Sequence, residues 1–141
     1  MLRSIRIAAI AALAPLSLSA QGLPYSPIVE VNGVLYVAGK LGQNPETRKL
    51  PGNIEEETKF ALEAVKKELE GAGATMADVV RCQVFLDDID DYSKMNGVYG
   101  TFFPENPPAR TTLAVEDIVL GAKIEIECTA VRGRGEAAES Q

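Results

Sequence analysis

The chain has 141 residues, 46% of them hydrophobic, which is enough for one ordinary core and argues against a second domain. Its formal net charge is −6, from 14 basic and 20 acidic residues, and no basic run is interleaved with aromatics, so a nucleic-acid partner is disfavoured. Histidine is absent and Cys82 and Cys128 lie too far apart for a C-x-x-C pair, which removes the serine-protease, cysteine-protease and zinc-hydrolase classes; no P-loop or G-x-G-x-x-G cradles a nucleotide.

Residues 1–20, MLRSIRIAAIAALAPLSLSA, carry Arg3 and Arg6, then an apolar run, then small residues, and read as a secretory signal peptide cut after Ser19. The expected protein is therefore exported, periplasmic or secreted, with a mature charge of −8 once Arg3 and Arg6 are gone and no stable membrane insertion. In an oxidising compartment Cys82 and Cys128 are allowed to bridge, but their spacing does not decide whether they meet.

Two β-rich runs, IVEV and VLYVAG, flank Asn32-Gly33, the dipeptide that type I′ turns prefer, and predict a hairpin. After a loop rich in proline and glycine, Asn53 is placed as an N-cap with Glu56 as its capping-box partner. Ile54, Ala61, Leu62, Val65 and Leu69 then form one helical stripe, which Gly71 and Gly73 end. VVRCQVFL predicts a strand with Val80, Cys82, Val84 and Leu86 on one face. Asp90 or Asp91 caps a second helix striped by Tyr92, Met95, Tyr99, Phe102 and Phe103 and stopped by Pro104. ARTTLAV and AKIEIECTAV are the last strands, joined near Gly121, and the tail over 134–141 has no hydrophobic pattern and is expected to be disordered. The order β-β-α-β-α-β-β suits an α+β domain, residues 21–133, with two helices on one face of a mixed sheet. VLYVAG is apolar on both strand faces, so the face without helices needs another cover, and self-association is the simplest supplier.

The stretch NPPARTTLAVED sets Arg110 directly behind a double proline, which holds the chain extended and leaves the guanidinium at the mouth of a strand. In KIEIEC, Ile124, Ile126 and Cys128 fall on one face, with Glu125 and Glu127 on the other, where another subunit is expected. Arg110 is the natural counter-charge for Glu125. A structural ion pair at a subunit interface and a pocket in which Arg110 grips a carboxylate while Glu125 handles water or a proton use the same groups; spacing does not separate them.

From Pro24 to Val131 the chain resembles the Rid proteins (the YjgF/YER057c/UK114 family), small reactive-intermediate deaminases. The resemblance rests on PYSP, NGVLYVAG, NPET, the helix-one run from NIEEETKF to MADVV, then VFL, MNGVYGTFF, PPART and KIEIE, in that order. It implies a chorismate-mutase-like fold assembled as a homotrimer around a central barrel, with ligand sites in clefts between subunits. It also implies hydrolysis of 2-imino or enamino acids, such as 2-iminobutanoate and 2-iminopropanoate, to 2-oxo acids and ammonia, without cofactor or metal. By motif, Arg110 binds the substrate carboxylate and Glu125 orients or activates water; Tyr25 lines the cleft, Asn96 lies near it, and the backbones at Gly39 and Thr112 supply polar contacts. Ala38-Gly39-Lys40 stands where many active relatives read Ser-Gly-Gln, which removes a hydroxyl near the pocket and adds a cation close by. The alternative is a non-catalytic trimer of the same fold that binds a small molecule or a protein.

Overall fold

The computed structural model describes residues 22–139, so the expected signal peptide lies outside the described residues. Strands β1 (Ile28–Val31) and β2 (Val34–Leu41) form the hairpin, and φ is 51° at Asn32 and 79° at Gly33, the two left-handed positions that a type I′ turn requires. Helix α1 (Ile54–Gly71) begins at Asn53, whose side chain accepts from the Glu56 backbone N–H at 2.9 Å. Its stripe is buried as its spacing predicts, and each large side chain removed from water there contributes about 1.5–3 kcal/mol. Strand β3 (Val79–Leu86), helix α2 (Tyr92–Phe102), strand β4 (Ala109–Ala114) and strand β5 (Ile124–Val131) follow, and a short helix α3 (Arg134–Glu139) ends the described chain.

The sheet order is β1-β2-β5-β3-β4, with β3 and β4 parallel and every other pair antiparallel. The last long strand is thus inserted at the centre, and β4 is an edge. One face, through Leu35, Val37, Cys82, Val84, Leu86, Ile124 and Ile126, is part of the same buried cluster as α1 and α2. The other face carries Val29, Val31, Tyr36 and Leu113, each about half exposed in the single chain. At its centre Gln83 Nε2 donates to Glu127 Oε1, and Arg81 donates to Gln83 at 3.4 Å.

Three local expectations differ from the structure. A register shift between Val79 and Arg81 places Val79, not Val80, in the core, because a bulge inserts one residue and turns the side chains before it over. Asp91 stands at the N-cap position of α2 but makes no side-chain cap bond; the capping carboxylate is Asp88, which accepts from Asp90 N at 2.9 Å and starts a 3-10 turn, Ile89–Asp91, that runs into the helix. The segment expected to be disordered from residue 134 is helical over Arg134–Glu139. Arg134 donates to the carbonyls of Ala77, Val79 and Asn106, and Gly135 N donates to Asp78 at 3.1 Å, so main-chain and carboxylate acceptors replace the missing apolar stripe. The buried face of α1 also holds Glu57. Its carboxylate accepts from the backbone N–H groups of Gly52 at 3.1 Å and Lys123 at 2.7 Å, which ties two loops to the helix.

Cys82 and Cys128 are bridged partners on the neighbouring strands β3 and β5, which settles the pairing that spacing left open.

Candidate active site

Strand β4 reaches the sheet through a parallel crossover from β3 by way of α2, and this geometry lays α2 over the helix-side face of β4. In the β3–β4 register, Arg110 is opposite Cys82 and Thr112 is opposite Val84, both core residues, so Arg110 and Thr112 point to the helix side. There the Arg110 guanidinium lies 4.6 Å from the centre of the Tyr99 ring and 5.6 Å from that of Tyr92. Nη2 donates to the Tyr92 hydroxyl at 3.1 Å, and Nη1 faces Met95 Sδ at 4.0 Å. No carboxylate among the described residues pairs with Arg110, in contrast to Arg132, which holds Glu30 at 2.7 Å.

The polar atoms around this cation are not all satisfied. The Thr112 hydroxyl and the Tyr99 hydroxyl are buried without a hydrogen-bond partner among the described residues. Burial pushes the Tyr99 phenol up to about 12 against the pull of Arg110. Asn96, one turn beyond Tyr92, exerts the largest influence on the Tyr92 phenol and with Arg110 holds it below the usual tyrosine range. Arg110 and Thr112 thus leave the same face of β4, and Asn96 and Arg110 share the Tyr92 phenol. The structure adds Tyr92, Tyr99 and Met95, whose helical spacing reads equally well as a plain core stripe.

Glu125 belongs to a second place. It alternates with the buried Ile124 and Ile126 and is opposite Phe85, so it points to the face without helices. The β2–β5 register shifts between Val37 and Lys40, and this bulge brings Gly39 under the carboxylate: a Cβ built on Gly39 would stand 2.0 Å from Glu125 Oε1. Tyr25, just before β1, is 57% exposed.

Within one chain Arg110 and Glu125 do not meet. β5 is separated from β4 by β3, and the two side chains leave opposite faces of the sheet. Lys40 differs from expectation. It is opposite Ile126, on the helix side, and its ammonium is 2.8 Å from Glu68 of α1, so its charge is matched there and turned away from the Glu125 face. Among the described residues no group of three or more His, Cys, Asp and Glu side chains could hold a metal ion, and no helix is long and apolar enough to cross a membrane.

An α+β sheet of this order with two helices on one face is the chorismate-mutase-like fold, and solved structures of that fold superpose on it. The crystal structure of the YjgF gene product of E. coli matches with a TM-score of 0.76 at 32% identity, over 81% of this chain and 91% of that one. The family model described as Endoribonuclease L-PSP matches residues 16–132. A RutC family protein of Pyrococcus abyssi is 40% identical over 110 residues, 77% of this chain and 87% of its own. The 2-iminobutanoate/2-iminopropanoate deaminase of Bos taurus is 40% identical over 111 residues, 78% of this chain and 81% of its own. The chain belongs to this family, the Rid proteins.

The expected export is overturned by the same comparison. The relatives that carry the match are mammalian imine deaminases and archaeal RutC family proteins, and the family match begins at residue 16, inside the segment read as a cleaved leader. An apolar N-terminal run with two arginines has the composition of a leader, and composition alone does not separate the two cases.

Proposed function

We propose that the protein hydrolyses 2-imino and enamino acids to 2-oxo acids and ammonia, in clefts between the copies of a homotrimer. Each cleft joins Arg110, Thr112 and Asn96 of one copy to Glu125, Gly39 and Tyr25 of the next. The observation that carries this reading is the Arg110 guanidinium, half-buried on two tyrosine rings and lacking an acidic partner among the described residues. A desolvated cation in that position is a receptor for a small carboxylate, which it binds through two parallel N–H···O bonds. The half-exposed apolar face of the sheet is a surface for the other copies. The 40% identity to proteins named imine deaminases supports the choice of substrate.

The reaction asks little of the protein. With the carboxylate fixed, the C=N carbon presents one face to a water held by Glu125. As the water oxygen bonds to carbon, Glu125 takes one water proton, the π pair moves to nitrogen and Glu125 returns that proton to the nitrogen. Glu125 then carries the carbinolamine hydroxyl proton to the amino group, which leaves as ammonia while the C=O bond forms. Orientation and one acid/base group suffice, the latter contributing about 10²–10⁴-fold. A formal charge of −6 and the absence of histidine leave RNA cleavage without a basic track or an imidazole base.

The test is to generate iminopropanoate with an amino-acid oxidase and follow ammonia and pyruvate release. The parent should accelerate both and Arg110→Lys should not, since an ammonium does not reproduce the fork. Equal rates for the two would refute the clamp. Raised melting with a 2-oxo acid and no acceleration would favour the non-catalytic binding protein instead.

A further inference from the structure

The Tyr92 hydroxyl oxygen already accepts a hydrogen bond from Arg110 Nη2 at 3.1 Å. Asn96 hydrogen-bonds the same phenol in the sense that favours its ionised form, as a donor, so it and Arg110 both give to the Tyr92 oxygen and leave the phenol's own hydrogen to turn elsewhere. The residue stands at the first turn of α2, is 39% exposed, and its ring lies beside the guanidinium. A phenol whose oxygen receives from Asn96 and from a carboxylate-binding arginine has its own hydrogen to give, and is a second donor beside what the arginine binds. We propose that Tyr92 is a substrate-binding residue, whose hydroxyl donates to the carboxylate held by Arg110. This rests on the reading of Arg110 as the carboxylate receptor.

The arrangement has a consequence at alkaline pH. Once the phenol ionises it has no hydrogen to give, and the phenolate pairs with Arg110 in competition with the substrate carboxylate. Arg110, from β4, is the one charged group acting on Tyr92 among the described residues, with Asn96 the polar neighbour on α2, and both favour the ionised form. Tyr99, the other phenol against Arg110, is pushed to about 12 and titrates later. Carboxylate affinity should therefore fall as pH rises toward the lowered Tyr92 value, below the range of an ordinary tyrosine.

The probe is pyruvate, measured by titration calorimetry from pH 7 to 10 on the parent, Tyr92→Phe and Arg110→Ala. Loss of one hydrogen bond to a charged group should weaken pyruvate about tenfold in Tyr92→Phe at pH 7. The parent should lose affinity over the alkaline range, and Tyr92→Phe should stay level there. If Tyr92→Phe binds as tightly as the parent with the same pH profile, Tyr92 is only a packing residue and the proposal fails, with the Arg110 reading intact. If the parent binds pyruvate no better than Arg110→Ala, the carboxylate receptor itself is wrong and both fall. The parent's own pH profile decides the question independently of how well either variant folds.

Discussion

Gly39→Ala should separate activity from stability. The Gly39 backbone lies outside the left-handed region, so alanine is conformationally acceptable there, and the glycine is needed for close approach instead. The added Cβ would lie 2.0 Å from Glu125 Oε1, 2.8 Å from Cδ and 3.1 Å from Cγ. Ordinary contact begins near 3.4 Å, so the carboxylate must retreat by about 1.4 Å, and the whole side chain has to swing because the clash reaches Cδ. The obstacle is the end of a flexible side chain, so a rotamer change of about 0.5–1.5 kcal/mol is offset by the entropic gain of about 0.4–1 kcal/mol for Gly→Ala. The urea midpoint should hardly move. A catalytic group displaced by about 1 Å loses on the order of 10²-fold in rate, and that is the expected fall in imine hydrolysis. In a Glu125→Gln background the same substitution should cost little more, since the two act through one carboxylate. A Gly39→Ala protein with the parent's rate would refute the role of Glu125 position, and one that fails to fold would refute the soft-obstacle argument.

Two further outcomes concern the scaffold. The Cys82–Cys128 bridge closes a sequence separation of 46 residues, so replacing both with alanine should remove about 4 kcal/mol by loop-closure entropy, and the parent in reductant should show the same loss in a urea melt. Identical midpoints for parent, reduced parent and variant would contradict it. At Asp78, burial raises the carboxyl, but hydrogen bonds from Gly135, Thr75 and Gly133 outweigh it and hold it below the ordinary value of 3.8. A depressed acid contributes stability that is present above its unfolded value and lost as pH falls through the folded one. Asp78→Asn should flatten the stability profile below about pH 4, and an unchanged acid slope in melts from pH 2 to 5 would contradict it.

The hairpin and α1 were legible because their signals are local: Asn32-Gly33 supplies two left-handed positions, and Asn53 with an unbroken stripe fixes start and face. The Arg110 and Glu125 geometry was not. Their motifs point to carboxylate chemistry, but which face each residue leaves depends on β5 entering between β2 and β3 and on β4 pairing in parallel, and both are properties of sheet order. Lys40 was misplaced for a related reason, since the bulge after Val37 turns it to the helix side. Tyr92 and Tyr99 carried no distinct signal, because an aromatic stripe at helical spacing looks the same whether it packs a core or cradles a cation.

The central claim, that each site takes Arg110 from one copy and Glu125 from another, is tested most directly by mixing. Arg110→Ala and Glu125→Ala, each inactive alone, are unfolded together and refolded. In random trimers a given cleft draws an intact arginine and an intact glutamate with probability one half each, so about a quarter of the parent activity should return. Mixed trimers that form and stay as inactive as either variant would contradict the account.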